Sequence, residues 1–315
     1  SGTNTKAYRI SVFDFVWTSG SGILEFSGPA DYTLNTLSSL RLDNLTFTPT
    51  GDGMRAIIIG ALTDTGYTSS GGTCTYVYGV IHNVTLTQAA STQLLEGRND
   101  FLCAPEASLG SSSNLFLEDV TVTITQLTND GLGCVDWQGA GGFVVRYSTF
   151  TNCRVIVHGV NNAWGPTTWE TYGNTIVYSS ISAGLLATYE SGARQLHHQG
   201  SGYWSSWGNS HTAITGHSGA AEDLVHYRSF GTGTGQAECD GTVGADGNRT
   251  PLSTYYGYPC KRQPGRDVNG ALFPVYVFRN VWTDDSSIVG LNCHSASDTS
   301  PPPATCTHHV KANRD

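Results

Sequence analysis

The chain has 315 residues, of which 38 are Gly and only 13% are charged, and its formal net charge is −9. This acidic balance argues against a nucleic-acid partner, because binding to phosphates needs a clustered excess of Lys and Arg. No apolar run reaches the roughly 20 residues of a membrane-spanning helix. The first six residues, Ser1–Lys6, lack the charged and apolar regions of a signal peptide. We therefore expect a soluble protein whose export signal is already removed or was never present.

The chain begins with two apolar runs, Ile10–Phe13 and Ile23–Phe26, separated by a Ser- and Gly-rich stretch. This pattern is typical of a β-hairpin or of the first coil of a solenoid, and it predicts an amino-terminal cap over residues 1–38. Eight later segments are alike, because in each one a turn residue leads into a β-branched or aromatic run. They begin at Asn44, Asn83, Asp119, Tyr147, Gly173, Gly208, Tyr227 and Arg279.

These eight segments are irregularly spaced, by roughly 19 to 52 residues, which a solenoid permits because each coil can carry its own loop. Apolar runs such as Ala56–Ile59 and Val155–Val157 are short, β-branched and bounded by Gly or polar residues, as strands are. The main coils are expected over residues 39–230. Residues 231–315 form a loop-rich cap with one strand at 273–282 and an irregular tail. The sequence thus predicts an all-β fold, a right-handed parallel β-helix that forms a single domain over residues 1–315.

The eight cysteines include no Cys-x-x-Cys pair, so neither a zinc ribbon nor a thioredoxin-like site is supported. Disulfides are the better interpretation, and we expect sequential pairing because a loop that leaves and rejoins a coil brings near neighbours together. The alternative for Cys134 and Cys153 is a pair of reduced core residues. Four disulfides would place the protein in an oxidising compartment, outside the cell or on a virion. The expected pairs are Cys74 with Cys103, Cys134 with Cys153, Cys239 with Cys260, and Cys293 with Cys306.

Several segments between residues 143 and 282 resemble one group of proteins. They are Phe150–Gly159, Trp169–Thr175, Cys239–Gly241, Asp246–Asn248, Gly257–Arg266 and Phe273–Asn280. Together they look like bacterial and phage-associated right-handed parallel β-helix repeat proteins. The resemblance implies the fold more than an activity, because those proteins are mostly uncharacterised. The chain departs from their pattern at residues 160–168, which lack the basic residues expected there.

Residues 158–211 hold the densest set of chemically active side chains. Equivalent positions on successive coils stack about 4.8 Å apart, so residues one coil apart can line one groove. Glu170 and Glu190 could then act as acid and base on a glycosidic bond, with His158 beside them. The structural alternative is that Glu170 satisfies a turn, the histidines lie on a solvated loop and the tryptophans cover coil edges. The candidate carbohydrate contacts are Trp164, Trp169, Trp204, Trp207, Arg194 and His197, with His198 and His211 in the same region.

No cofactor is required by this pattern, and no metal ligands are assigned. Ca²⁺ could bind Asp240, Asp246 and Asn248 in a Gly-rich loop, although Asx-Gly turns form without metal.

The expected function is binding or structural: an extracellular or virion-surface protein that presents a face to a polysaccharide or to copies of itself. Whether it is an enzyme stays open, and the alternative is a polysaccharide-cleaving hydrolase or lyase. A further alternative is a subunit of a trimeric spike or fibre. The charged fraction of 13%, about half of the usual 25%, favours that alternative because like surfaces then meet without repulsion.

Overall fold

The computed structural model of the protein describes residues 6–17, 24–26, 36–49, 55–59, 75–88, 93–97, 109–125, 133–137, 142–157, 168–177, 196–199, 203–212, 222–225, 275–289 and 291–294. The described residues contain 21 β-strands and no helix. The strands form two sheets in which neighbouring strands are parallel. The chain is a parallel β-helix, and the predicted fold class is confirmed.

The strands are numbered β1 to β21 in chain order. The larger sheet contains β1 (Lys6–Trp17), β3 (Thr36–Pro49), β5 (Thr75–Gln88), β7 (Leu115–Glu118), β8 (Thr121–Ile124), β10 (Gly142–Arg146), β11 (Thr149–Thr151), β13 (Thr168–Tyr172), β14 (Thr175–Val177), β16 (Tyr203–Trp207), β17 (Ser210–Thr212), β19 (Tyr276–Phe278) and β20 (Val281–Trp282). The smaller sheet contains β2 (Leu24–Phe26), β4 (Arg55–Ile59), β6 (Gln93–Gly97), β9 (Val135–Trp137), β12 (Val155–Val157), β15 (Leu196–Gln199), β18 (Glu222–Val225) and β21 (Leu291–His294).

From β3 onward, each coil crosses the larger sheet in two halves that meet at a corner residue with a positive φ of 51° to 65°. Most corner residues are Asn, Asp or Gly, the residues that tolerate this left-handed conformation best. The corner residues are Asn44, Asn83, Asp119, Tyr147, Gly173, Gly208 and Arg279. Seven of the eight predicted repeat segments therefore begin at equivalent positions of successive coils.

The eighth predicted segment, at Tyr227, lies outside the described residues. Ser210 pairs directly with Val281, and Ser205 pairs directly with Tyr276. Among the described strands these two coils are therefore direct neighbours, and the prediction at Tyr227 stays a prediction.

The two amino-terminal apolar runs lie in different sheets. β1 pairs in parallel with β3, where Ile10 is opposite Leu42, and β2 pairs in parallel with β4. The hairpin alternative is therefore wrong, and these strands take part in a first coil. At the other end, the predicted strand at 273–282 is divided by the corner residue Arg279 into β19 and β20.

The inward-facing side chains form one core whose polarity changes along the axis of the coil. In one inward column Ile81, Leu117 and Val145 follow one another and are fully buried. The same column continues with Thr171 and Ser206, which are also fully buried. Their hydroxyl groups are hydrogen-bonded to each other at 3.0 Å. This inward column is thus aliphatic in the earlier coils and polar in the later ones.

A second inward column ends in three buried asparagines on successive rungs, Asn174, Asn209 and Asn280, here called the asparagine ladder. The Nδ2 of Asn174 donates to Oδ1 of Asn209 at 2.9 Å, and the Nδ2 of Asn209 donates to Oδ1 of Asn280 at 3.1 Å. Each Oδ1 also accepts a hydrogen bond from the backbone N–H at the same position one rung earlier, at 2.9 to 3.1 Å. The donors are Ser148, Asn174 and Asn209 in turn. These bonds matter because a buried polar group without a partner costs about 1–3 kcal/mol.

Cys134 and Cys153 form a disulfide, which confirms that predicted pair and shows that the reduced-core alternative is wrong. Both residues are buried in the core beside β9 and β12 of the smaller sheet. Cys293 lies in β21. The other three predicted pairs each include at least one cysteine outside the described residues.

Replacing both Cys134 and Cys153 with Ser is expected to lower the free energy of unfolding by about 3 kcal/mol, because the disulfide closes a loop of this length in the unfolded chain. The two cysteines are 19 residues apart. Urea unfolding of the double variant beside the native chain measures the change. A difference within the error of the midpoint would contradict the prediction. Ser112→Ala, at an exposed turn position, is the control.

The outward side of the second half of the larger sheet carries two columns of mostly threonine, here called the threonine face. In strand register, the first column is Thr46, Thr85, Thr121, Thr149, Thr175, Ser210 and Val281. The second column is Thr48, Thr87, Thr123, Thr151, Val177, Thr212 and Thr283. Each of these side chains is exposed or partly exposed.

Candidate functional site

The outward residues immediately before the corner residues form a second surface column, here called the pre-corner column. Its members are Asp43, His82, Glu118, Arg146, Tyr172, Trp207 and Phe278. The column is charged in the earlier coils and aromatic in the later ones. Because these positions stack in register, they form one continuous column across the coils.

The first part of the pre-corner column is a network of ionisable groups. His82 Nδ1 lies 2.7 Å from Asp43 Oδ1, and Arg41 Nη2 lies 3.1 Å from Asp43 Oδ2. The hydrogen bond with His82, more than the contact with Arg41, holds the pKa of Asp43 below its ordinary value. His82 Nε2 also lies 3.4 Å from a carboxylate oxygen of Asp119. The ionisable side chains are thus in contact with one another at this end of the column.

The central part of the column is organised by Arg146. Its Nε donates to Glu118 Oε2 at 2.7 Å, and its Nη1 donates to the hydroxyl oxygen of Tyr172 at 2.9 Å. The guanidinium also lies 4.6 Å from the centre of the Phe116 ring, a cation–π distance. Burial raises the pKa of Tyr172, against the opposing effect of Arg146, so this hydroxyl keeps its proton. Arg146 therefore links the charged and aromatic parts of the column.

The last part of the column is a stack of aromatic rings. The rings of Tyr172 and Trp207 are 4.5 Å apart and tilted by 4°, and those of Trp207 and Phe278 are 5.8 Å apart and tilted by 3°. Tyr147 packs edge-on against Tyr172 at 5.6 Å. Tyr147, Tyr276 and Phe278 are 55%, 47% and 46% exposed. These five residues, Tyr147, Tyr172, Trp207, Tyr276 and Phe278, are here called the aromatic ridge.

The position of Tyr147 depends on the glycine in the next coil. Gly173 is a corner residue with a φ of 65°. A Cβ atom at Gly173 would lie 2.8 Å from Cδ1 of Tyr147. Glycine therefore allows the Tyr147 ring to lie across the corner, where it extends the aromatic ridge beyond the stacked column.

Glu170 lies on the same strand as Tyr172 and is only 7% exposed. Its Oε1 accepts hydrogen bonds from the backbone N–H of Gly110 at 2.6 Å and from Nδ2 of Asn114 at 3.3 Å. Burial raises the pKa of Glu170 above its ordinary value of 4.5, although the Gly110 hydrogen bond and the charge of Arg146 oppose the shift. A carboxyl group with a raised pKa can act as a general acid.

Glu170→Gln is expected to remove a pH dependence of stability. Because burial raises the native pKa above the unfolded value, the native state binds more protons between the two values. The free energy of unfolding of the native chain then falls as pH rises through the raised pKa. Glutamine has no carboxyl to titrate and keeps an oxygen acceptor for Gly110, so the variant should match or exceed native stability at neutral pH.

Urea midpoints between about pH 4 and pH 8 test this expectation. Asp284→Asn, at an exposed carboxylate, is the matched control and should leave the pH profile of the native chain unchanged. Parallel pH profiles for the native chain and Glu170→Gln would contradict the prediction.

Two predicted site residues occupy different surroundings from those expected. Trp169 is 2% exposed, and its ring stacks on Phe143 in the core at 5.3 Å. Its assignment as a carbohydrate contact is therefore corrected, because a ring packed inside the core cannot stack on a sugar. His211 is also fully buried and contacts Trp282 edge-on at 6.1 Å. Trp207, in contrast, lies on the aromatic ridge.

The other predicted site residues are described only in part or not at all. Trp204 lies in β16 in register with Trp169, and His197 lies in β15 in register with Ile156. Outside the described residues are Glu190, His158, Trp164, Arg194, Asp240, Asp246 and Asn248. The predicted pairing of Glu170 with a second carboxylate at position 190 therefore stays a prediction.

The sequence analysis missed six members of the column: Asp43, His82, Glu118, Arg146, Tyr172 and Phe278. A signal was present, because each of them directly precedes the first residue of a repeat segment. Alignment of the segments one residue earlier would have placed them in one column. The segments were compared only from the turn residue onward, so the column was not seen.

Within the described ranges, no group of three or more His, Cys, Asp or Glu residues is placed to hold a metal ion. The same ranges contain no helix long and apolar enough to cross a membrane. Comparison with models of known protein families, with curated proteins and with solved structures finds no match to the chain.

Proposed function

We propose that the protein binds glycans, and that it holds a polysaccharide chain along the aromatic ridge. The observation that carries this proposal is the exposure of Tyr147, beside the hydrogen-bonded pair of Arg146 and Glu118, and of Tyr276 and Phe278, three rungs further along the ridge. Exposed apolar groups that are clustered and bordered by polar residues mark interaction surfaces.

The chemistry of the ridge suits a sugar. A pyranose ring has apolar C–H faces and hydroxyl edges, and tyrosine offers an apolar ring with a polar tip. The stacked rings of Tyr172 and Trp207 cover each other. The accessible ring surfaces are therefore expected at Tyr147 on one side and at Phe278 and Tyr276 on the other. The Arg146 and Glu118 side chains, both partly exposed, supply hydrogen-bond donors and acceptors for hydroxyl groups.

The length of the ridge is also suitable. Tyr147 and Phe278 lie three strand spacings apart along the coil, or about 14 Å. An oligosaccharide segment could contact both ends at once, which would raise its affinity without any deep pocket.

The proposal includes a place of action outside the cell or on a virion surface. The Cys134–Cys153 disulfide supports an oxidising compartment. The resemblance to bacterial and phage-associated β-helix proteins is in keeping with that location, and membership of that group is part of the proposal.

The experiment is retention on a panel of insoluble polysaccharides, with release of reducing or unsaturated ends measured in the same samples. Tyr147→Ala and Phe278→Ala should each weaken retention about tenfold or more, because each removes an exposed ring at one end of the ridge. The matched control is Ile288→Ala, which truncates an apolar side chain that is 69% exposed and lies outside the ridge. Equal retention of all three variants would overturn the proposal.

A second candidate is self-association through the last described coil. Tyr276, Phe278 and Ile288 are all exposed there, and exposed apolar groups near one end of a solenoid can pair with another copy. In that case Ile288→Ala should weaken association in sedimentation experiments. Under the glycan proposal alone, this variant should change neither association nor retention.

The enzyme alternative rests on Glu170, whose burial and raised pKa suit a general acid. Cleavage by the native chain that disappears in Glu170→Gln would establish a hydrolase or lyase. Retention without cleavage would support a binding protein.

A further inference from the structure

The threonine face is uncharged, although the neighbouring half of the same sheet is not. Its outward positions contain only Thr, Ser and Val over seven successive rungs. In the same coils the pre-corner column carries Asp43, His82, Glu118 and Arg146. On β1 the first column continues with Asp14 in register with Thr46, so the uncharged face begins at β3. The β propensity of threonine explains single exposed threonines but not seven successive rungs without a charged residue in either column.

The threonine face is a regular grid in two directions. Parallel strands repeat every 4.8 Å or so across the sheet, and alternate residues along a strand repeat about every 6.7 Å. Threonine is stiff at χ1, so its hydroxyl and methyl groups hold fixed positions on this grid. The hydroxyl oxygens of Thr212 and Thr283 are 2.8 Å apart, so hydroxyl groups on neighbouring rungs come within hydrogen-bonding distance.

The size of the face argues against another protein as its partner. Six strand spacings and two columns give a strip about 29 Å long and about 10 Å wide. That area, about 300 Å², is well below the roughly 800 Å² that each partner buries in a stable protein interface. A second copy would also bury many hydroxyl groups, and each one left without a partner costs about 1–3 kcal/mol.

The partner that fits an uncharged, rigid and doubly periodic grid is itself an uncharged crystalline lattice of hydrogen-bonding groups. The surface of ice is such a lattice, with oxygen atoms at fixed repeats of similar size that can both donate and accept hydrogen bonds. The threonine hydroxyls can bond to those oxygens, and the methyl groups between them favour ordered over mobile water. We propose that the threonine face binds the surface of ice. This inference goes beyond glycan binding and uses a different surface of the coil.

The test measures thermal hysteresis and the incorporation of fluorescently labelled protein into a slowly growing ice crystal. Thr121→Tyr and Thr149→Tyr place a large ring on adjacent rungs at the centre of the face. Each should lower the hysteresis by about tenfold, because the ring holds the lattice away from the neighbouring rungs. Tyrosine favours strands, so the fold should be kept, which circular dichroism and the melting temperature verify. Ser112→Tyr, at an exposed turn outside the face, is the matched control and should leave the hysteresis unchanged.

Several results would overturn the proposal. One is a native chain that neither enters ice nor produces hysteresis. Another is ice binding that persists in both tyrosine variants. A third is a native dimer that Thr149→Tyr dissociates without any ice binding, which would make the face an interface between copies. A fourth is retention on crystalline polysaccharide that Thr149→Tyr abolishes without ice binding. Tyr147→Ala should retain full ice binding, so failure of the glycan proposal and failure of this one are separable.

Discussion

Asn209→Ala is expected to lower the free energy of unfolding by about 3–5 kcal/mol, because it interrupts the asparagine ladder inside the core. The Oδ1 of Asn209 accepts two hydrogen bonds from Asn174, one from its backbone N–H at 3.1 Å and one from its side-chain Nδ2 at 2.9 Å. The Nδ2 of Asn209 donates to the carbonyl oxygen of Thr171 at 3.2 Å and to Oδ1 of Asn280 at 3.1 Å. Alanine cannot replace any of these bonds, and the groups it leaves behind are buried away from water.

Urea unfolding followed by far-UV circular dichroism measures the effect, and the midpoint should fall with little change in slope. Asn83→Gly is the matched control, because Asn83 is an exposed corner asparagine with a φ of 51° that glycine also adopts. The control should change stability by less than about 1 kcal/mol. Similar midpoints for the two variants would show that the ladder does not stabilise the later coils.

Hydrogen exchange adds spatial resolution to this test. A solenoid is stabilised mainly between neighbouring coils, so the loss should be concentrated near the affected rungs. Faster exchange is expected for the amides of Asn174 and Ser210, whose coil contains or adjoins Asn209. Amides in β3 and β5, several coils away, should exchange at nearly the native rate.

The fold could be predicted from the sequence because the repeat depends on local residue preferences. A left-handed corner selects Asn, Asp or Gly, and the strand that follows selects β-branched residues, so the corners at Asn44, Asn83 and Asp119 are visible without a structure. Tyr147 and Arg279 were found only because the strands after them resemble the others. The pairing of Ser210 with Val281 could not be predicted in this way, because register is a property of pairing partners that the local sequence does not contain.

The site was harder to predict, because alternate residues of a strand face opposite sides and a shift of one residue exchanges them. Trp169 and Tyr172 are three residues apart on one strand, yet the first packs in the core and the second lies on the aromatic ridge. Composition alone cannot separate them, since both are large aromatics in an apolar run. The separation needs the corner as a reference point: the residue just before it faces outward in every coil.

The two surfaces of the larger sheet follow from that same corner. Before it, the outward column varies from coil to coil, from Asp43 to Phe278, as expected for a surface that recognises one particular partner. After it, the threonine face repeats nearly the same side chain in the seven coils from β3 onward. A varied surface suits a ligand with distinct groups, whereas a constant one suits a periodic partner. The two proposals therefore assign different partners to the two halves of one sheet.

Gly79→Ala is expected to destabilise the protein by about 4 kcal/mol or more, or to prevent folding, because the added methyl group has no space. A Cβ atom at Gly79 would lie 2.1 Å from the backbone oxygen of Leu40 and 3.0 Å from its backbone nitrogen and carbon. Leu40 is opposite Gly79 in the pairing of β3 with β5. Both strands are held in long parallel ladders, so neither can move aside without loss of neighbouring hydrogen bonds. The φ of 122° at Gly79 adds backbone strain for alanine.

Gly110→Ala separates the steric clash from the strain of a positive φ. Gly110 has a φ of 73°, but a Cβ atom there would meet no atom within 4 Å. This variant should therefore lose only about 1–2 kcal/mol, the cost of a left-handed conformation for a residue with a side chain. Thermal and urea unfolding of both variants give the comparison. Similar losses at the two positions would mean that β3 and β5 can move apart at this rung, and that their close approach at Gly79 is not needed to align the first coils.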